Sequence, residues 1–186
     1  MAKILVFAGS ARKDSINKKL ALVAAQVARD AEADVTYVDL ADYSMPLYDG
    51  DLEEAEGLPE NAEKLYAIMK DQDGFILACP EYNSSITPLL KNTIDWCSRG
   101  PKEDPPLAAY AGKVVGLMSA SPGALGGMRG LVTVRSLLGN IGMWVTPAQV
   151  VVSSAYNAFD EDGALTDERQ LTKVVGLVND VIHAAE

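Results

Sequence analysis

Residues 80–96, PEYNSSITPLLKNTIDW, follow directly on the apolar run GFILAC of residues 74–79. A short continuous apolar run predicts a buried strand, and Pro80 ends it because proline cannot donate a ladder hydrogen bond. From Pro88 onward the apolar residues recur with helical spacing, and proline is tolerated in the first helical turn. The stretch therefore predicts a strand, a polar loop and a helix, with the loop at the edge where open α/β sheets bind ligands.

The rest of the chain repeats this alternation. Apolar, β-rich runs predict further strands at residues 3–8, 35–38, 113–119 and 144–152, the last broken around Pro147. Helical spacing of apolar residues predicts further helices near residues 20–28, 62–69, 132–141 and 171–182, and an irregular segment at 41–59. Together they predict an α/β fold, a three-layer doubly wound sandwich around a five-stranded parallel sheet of order 2-1-3-4-5.

Composition limits the classes of function. A chain of 186 residues predicts a single domain, residues 1–186. A net charge of −10 argues against nucleic acid as the main partner, and no apolar stretch is long enough for membrane insertion. Cys79 and Cys97 have no metal or redox spacing and favour buried thiols in a reducing cytoplasm. The only histidine, His183, lies near the chain end, so hydrolase and zinc chemistry lack their usual groups, and no metal site is predicted.

The loop after the first strand, GSARKDSIN at residues 9–17, has the features of a phosphate site. It precedes a helix, and helix N-termini attract phosphate through free N–H groups and the helix dipole. Ser10, Ser15 and Asn17 add neutral hydrogen-bonding groups, and Arg12 adds a charged fork that matches phosphate oxygens. Neither GxxxxGK[ST] nor GxGxxG is present. Simple capping of the helix by a loop side chain is the alternative interpretation.

Two further loops suggest a flat ligand. PEYNS at residues 80–84 offers an aromatic plane and amide-type hydrogen bonds, although Tyr82 could instead pack on the core. SASPGALGG at residues 119–127 permits close approach to its backbone, whose N–H groups suit a ring carbonyl, although a flexible linker is the simpler alternative. Together the loops predict a cleft for a phosphate joined to a flat polar ring. FMN fits this description better than ATP, because no magnesium ligand or P-loop lysine is evident.

The motifs GSARKDSINKKL, PEYN, LKNTIDW and SASPGALGG resemble those of the NADPH-dependent FMN reductase family. The resemblance extends over essentially the whole chain and implies a flavodoxin-like fold, bound FMN, and NADPH or NADH as co-substrate. It also implies a homodimer or homotetramer with the flavin near a subunit interface. Carried over by motif position, the phosphate would be held by Ser10, Arg12, Ser15, Ile16 and Asn17. The isoalloxazine would be bordered by Pro80, Glu81, Tyr82, Asn83 and Ser84, and on its pyrimidine side by Ser119, Gly123, Gly126 and Gly127.

The reaction implied by the resemblance is ping-pong hydride transfer. NAD(P)H would reduce FMN, and the flavin would then give two electrons to a quinone or similar acceptor, such as an azo compound, a nitro compound, a metal oxyanion or free flavin. No side chain need act as a general acid or base, so no catalytic residue is assigned.

Two other classes remain open. A flavodoxin-type electron carrier would bind FMN but be reduced by a partner protein, and acidic charge suits such docking. A Rossmann-like regulator would bind NAD, with Asp39 in the place of the ribose-binding acid. For Arg129, a solvated position and a contact with the NADPH phosphate are both open. Core packing is favoured over substrate or subunit contacts for the large apolar residues Trp96, Met118, Met128 and Trp144.

Overall fold

The computed structural model describes residues 1–186, in which strands and helices alternate along the chain. The strands are β1 Lys3–Ala8, β2 Asp34–Val38, β3 Gly74–Ala78, β4 Glu81–Tyr82, β5 Ser85–Ile86, β6 Val114–Ala120 and β7 Trp144–Val152. The helices are α1 Ile16–Asp30, α2 Gly50–Glu56, α3 Glu60–Lys70, α4 Pro88–Cys97, α5 Met128–Asn140 and α6 Glu168–Ala185, with 3₁₀ turns at Leu40–Asp42 and Ala155–Asn157. None of the helices combines the length and the apolar character needed to cross a membrane.

The main sheet has the order β2-β1-β3-β6-β7, and every neighbouring pair is parallel. Strands β4 and β5 form a separate antiparallel hairpin, so the main-sheet order is the predicted 2-1-3-4-5. Parallel strands need crossover connections, and these place α1 and α6 on one face and α3, α4 and α5 on the other. The predicted three-layer sandwich is confirmed.

Each central strand is buried on both faces. In β1, Ile4 and Val6 belong to the core cluster beneath α1 and α6, whereas Leu5 and Phe7 belong to the cluster beneath α3, α4 and α5. Successive side chains of a strand point to opposite faces, so a strand between two helical layers must be apolar throughout. The carboxyl ends of β1, β3 and β6 lie at one edge of this rigid layer, where the three loops begin.

The last strand and the segment before α3 differ from prediction. Strand β7 runs unbroken through Pro147, with a register shift opposite the stretch between Val115 and Leu117. The predicted break is wrong because β7 is an edge strand, and its bulge accommodates a residue without an N–H. Residues 41–59, predicted as irregular, include α2, which has no buried residue and begins at the cap Asp49.

Two of the four large apolar residues assigned to the core lie there. Trp96 and Met118 are fully buried, and the Trp96 indole N–H donates to the carbonyl of Pro46 at 2.8 Å. Met128 is 46% exposed and Trp144 is 73% exposed, so the core assignment is wrong for both. Trp144 lies on the edge strand β7 and Met128 in the first turn of α5, and neither packs against a core cluster.

Candidate functional site

The carboxyl ends of the strands surround a cavity of about 110 Å³. The structure brings eight of the predicted residues to its wall: Ser10, Arg12, Ser15, Ile16, Asn17, Pro80, Glu81 and Tyr82. Four residues outside the predicted set complete the wall: Ala120, Ser121, Pro122 and Tyr156. The first and second loops therefore meet as their positions after β1 and β3 require, because adjacent parallel strands end side by side.

The first turn of α1 keeps free donors at this cavity. Ser15 caps the helix, accepting the Lys18 N–H with its side chain at 3.3 Å, as the capping interpretation predicts. That cap leaves the main-chain N–H groups of Ile16 and Asn17 without a protein acceptor. The first turn also carries no acidic residue. Two free N–H groups at the positive end of a helix dipole favour an anion.

Ser10 and Arg12 extend the same anion site. Ser10 is buried, and its hydroxyl oxygen accepts the main-chain N–H of Arg12 at 3.3 Å, which fixes the turn of the loop. The Arg12 side chain is exposed and forms no ion pair with a carboxylate. A guanidinium without a protein partner, beside two free N–H groups, matches the charge and the oxygen geometry of a phosphate.

Asn17 contributes to the site mainly through its main chain. Its side-chain nitrogen donates to the carbonyl of Ala120 at 2.8 Å, and its side-chain oxygen accepts the Ala120 N–H at 2.9 Å. These buried bonds join the start of α1 to the last residue of β6, 103 positions along the chain. The Asn17 amide therefore holds two loops together, and its main-chain N–H is the group left for a ligand.

The second loop is a hairpin, where a simple polar loop was predicted. Asn83 and Ser84 join β4 to β5 with φ values of 51° and 67°. Left-handed conformations at both positions of a two-residue turn are typical of a type I′ hairpin, which suits asparagine at the first position. The turn presents Tyr82 half exposed at the cavity, so the alternative in which Tyr82 packs on the core is not the one that the structure shows. Asn83 and Ser84 themselves lie outside the cavity wall.

Glu81 fastens the hairpin to α5. One carboxylate oxygen accepts the main-chain N–H of Gly130 at 2.9 Å, and the other accepts Arg129 Nη2 at 3.0 Å. The residue that precedes α5, Gly127, offers no capping side chain, so Glu81 supplies the cap from another loop. Burial alone would raise the pKa of Glu81, but the hydrogen bonds from Gly130 and Arg129 outweigh it and hold that pKa below its usual value. Glu81 is therefore ionised at neutral pH, and Arg129 is its partner.

The third loop contributes differently from the prediction. Ser119 is fully buried, and its hydroxyl donates to the Cys79 carbonyl at 2.7 Å. Gly127 has a φ of +87°, and a Cβ there would collide with the Ser119 hydroxyl, so this position requires glycine. Neither residue reaches the cavity, nor do Gly123 and Gly126. Ala120, Ser121 and Pro122 line it instead, because they follow immediately on the end of β6.

Tyr156 is the residue of this wall that sequence reasoning missed entirely. It lies in the 3₁₀ turn after β7 and is 76% exposed. The rule that ligands bind beyond the carboxyl ends of strands applies to the last strand as well. That rule could have singled out an aromatic residue four positions after Val152.

Three other candidate groups are used elsewhere. Asp39 binds Lys18 Nζ at 2.6 Å and accepts the Ala41 N–H at 2.9 Å, so it is not placed to hold a ribose. Burial raises the pKa of the Cys79 thiol to about 12 and that of the Cys97 thiol to about 12. Both are free and buried, so neither supplies a reactive thiolate at neutral pH.

The sheet order, the anion site at α1 and the aromatic hairpin beside it define a flavodoxin-like nucleotide-binding protein. Residues 2–157 match the family of NADPH-dependent FMN reductases, and the chain belongs to that family. The family resemblance that the sequence motifs indicate is thereby confirmed.

Individual relatives of the chain carry names that agree with this family. The chain is 35% identical over 169 residues to an NAD(P)H-dependent FMN reductase of Pseudomonas aeruginosa, covering 90% of this chain and 86% of the relative. It is 37% identical over 136 residues to a quinone reductase of Escherichia coli, covering 73% and 69% respectively. Among solved structures, the flavoenzyme NAD(P)H:(acceptor) oxidoreductase of Paracoccus denitrificans superposes with a TM-score of 0.82 at 27% identity, covering 100% of this chain and 97% of that one.

Proposed function

We propose that residues 1–186 form one FMN-binding domain that uses NADPH or NADH to reduce a small-molecule acceptor by two electrons. The observation that carries this proposal is the cluster of unpartnered donors at the cavity, made by the Ile16 and Asn17 N–H groups and the Arg12 guanidinium. A phosphate is the anion these donors fit, and Tyr82 of the hairpin lines the same cavity. When bound, FMN supplies the chemistry of accepting a hydride from NAD(P)H and passing two electrons on.

The residues around the cavity would hold the phosphate and the ring at a fixed separation. The Thr87 hydroxyl donates to the Gly9 carbonyl at 2.9 Å and accepts the Leu90 N–H at 3.2 Å, which ties the first loop to the start of α4. A Cβ at Gly9 would lie 2.9 Å from the Leu90 Cβ, so only glycine allows this close approach. Tyr82 and Pro80 would then border the ring from a hairpin that Glu81 fastens to α5.

A quinone is the acceptor class that we favour. Tyr82 lines the cavity and is about half exposed, so a flat apolar molecule would find an aromatic partner there. An open wall of this kind would also admit azo compounds, nitro compounds, metal oxyanions and free flavin. The names of the relatives, a quinone reductase and an FMN reductase, support this range.

Oligomeric state and location belong to the same proposal. Leu125, Met128 and Val132 are exposed apolar side chains around the start of α5, and covering them would favour a homodimer or homotetramer. Sedimentation velocity would measure the mass directly, and a monomer at micromolar concentration would contradict this part of the proposal. Cys79 and Cys97 are free buried thiols, which supports a reducing cytoplasm.

The deciding experiment is an anaerobic visible spectrum of the purified protein with FMN, before and after NADPH or NADH is added. Rapid bleaching of a bound-flavin band by either nucleotide is the expected result, and the faster nucleotide is the preferred donor. Bleaching by dithionite alone would indicate an electron carrier reduced by a partner protein. Absence of flavin binding would overturn the proposal.

A further inference from the structure

A second cavity, of about 400 Å³, adjoins the candidate FMN site. Arg12, Ile16 and Tyr156 line both cavities, so the second one opens directly beside the predicted phosphate position. Its other lining side chains include Lys19 from α1 and Phe159 from the loop after β7. A ligand held at the phosphate site could therefore continue into this space. Cavities of a few hundred cubic ångströms are of the size that holds small ligands.

The charges of this cavity favour an anion. Arg12 and Lys19 form no ion pair with a carboxylate, although the chain has 26 acidic and 16 basic residues. Asp14 is the one acidic side chain in the lining. Two cations without an ion-pair partner therefore line one cavity of a strongly acidic protein.

The aromatic residues favour a flat ring. Tyr156 is 76% exposed in a 3₁₀ turn, and its hydroxyl makes no hydrogen bond within the protein. Phe159 is only partly buried against the core and shares the same cavity. Tyr156 in the short turn and Phe159 in the loop after it line this cavity together with the unpaired cations, and they offer a stacking surface for a nucleotide base.

We propose that this second cavity is an adenylate subsite, which lets the chain hold FAD as well as FMN. The inference rests on the proposed function, because the phosphate of the FMN half of FAD would lie in the first cavity. The pyrophosphate would lie between Arg12 and Lys19, whose two positive charges match its two negative charges. The adenine ring would stack against Tyr156 and Phe159.

The test is calorimetric titration of FMN and of FAD into the apoprotein and its variants. We expect FAD to bind at least as tightly as FMN. Tyr156→Ala should weaken FAD about tenfold more than FMN, because a lost base stack is costly, whereas Tyr156→Phe keeps the ring and should retain FAD affinity. Lys19→Gln should weaken FAD about threefold and leave FMN unchanged, as expected for an exposed charge contact. Lys173→Gln, an exposed lysine on α6 outside both cavities, is the matched control.

Several outcomes would overturn the subsite. One is that FAD binds much more weakly than FMN. Another is that Tyr156→Ala and Lys19→Gln lower the affinities for both flavins equally. Adenosine monophosphate binding tightly to the FMN-loaded protein, with no preference for FAD, would assign the cavity to a free nucleotide instead. Normal FMN binding in each of these cases would leave the proposed function standing. Failure of both flavins to bind would reject the proposed function together with the subsite.

Discussion

The first and second loops meet at one cavity but use their hydrogen-bonding groups in opposite ways. In the first loop, the N–H groups of Ile16 and Asn17 and the guanidinium of Arg12 have no protein partner. In the second, Glu81 is bonded to Arg129 and Gly130, and Thr87, which follows it at the start of α4, is bonded to Gly9 and Leu90. The first loop keeps these three donors for a ligand, whereas the second uses its polar groups to hold its own shape.

This contrast indicates that the first loop determines the affinity for the cofactor and the second loop determines the shape of the site. Unpartnered donors beside a helix N-terminus gain most from an incoming anion, since no internal bond has to break first. Internally bonded groups gain little from a ligand but restrict where its ring can lie. Substitutions in the first loop should therefore change cofactor binding, and substitutions in the second should change stability. The side chains of Ser10, Ser15 and Asn17 are exceptions within the first loop, because each is bonded internally, and Asn17 is the most informative of them.

The largest effect is expected for Asn17→Ala. Removing the amide leaves the buried N–H and carbonyl of Ala120 without partners, which should cost about 3 kcal/mol of unfolding free energy. For a chain of this length, that corresponds to a melting temperature lower by about 6–12 °C. Calorimetry on the apoprotein measures it, with Asn179→Ala, an exposed asparagine on α6, as the control. An unchanged melting temperature with lost FMN affinity would place the amide on the phosphate instead.

Arg12→Ala should lower the affinity for FMN and leave the stability of the protein nearly unchanged. A charge-assisted hydrogen bond to phosphate contributes about 1.5–3 kcal/mol, so FMN affinity should fall by about 10- to 100-fold. Unfolding free energy should change by less than about 0.5 kcal/mol, because the side chain is exposed and unpaired. Lys13→Ala, next in sequence but outside the cavity, is the control and should leave the affinity near that of the wild type. Equal losses of FMN affinity in Arg12→Ala and Lys13→Ala would mean that Arg12 contributes only general positive charge and no specific contact with the phosphate.

Sequence reasoning predicted the scaffold well for a physical reason. Strand β1 was predicted as residues 3–8 and is Lys3–Ala8, because a strand buried on both faces must be an unbroken apolar run. The short helix Gly50–Glu56 escaped prediction because no residue of it is buried and no apolar period marks it. The hairpin escaped too, since its turn is Asn-Ser and carries no glycine.

The candidate site was predictable in part. Residues next to a strand end, such as Ser10 and Pro80, follow from local pattern and motif. The bonds from Asn17 to Ala120 and from Glu81 to Gly130 join residues 103 and 49 positions apart, and no local pattern encodes such a pairing. The glycines of the third loop illustrate the same limit. Gly127 was expected near a ligand, but in the structure it makes room for the Ser119 hydroxyl.

The smallest effect is expected for Glu81→Gln, which tests the second loop. The variant keeps a neutral acceptor for Gly130 but loses the charge that pairs with Arg129 and with the dipole of α5. Unfolding free energy should fall by about 1 kcal/mol at neutral pH. FMN affinity should stay within about twofold, because the Glu81 carboxylate is bonded to α5 and glutamine keeps the bond to Gly130. Glu161→Gln, an exposed loop carboxylate without an ion pair, is the control.

The difference in unfolding free energy between the wild type and Glu81→Gln should depend on pH. The pKa of Glu81 is lowered in the folded protein, despite burial that would raise it, by the hydrogen bonds from Gly130 and Arg129. Its stabilising contribution is therefore fully present above the unfolded pKa, near about 4.3, and is lost as the pH falls through the lower folded value. Urea unfolding of wild type and Glu81→Gln should differ by a constant amount from neutral pH down to about 5 and converge at lower pH. A difference that persists unchanged into acid would mean that the carboxylate charge contributes nothing and that only the shape of the side chain holds the hairpin to α5.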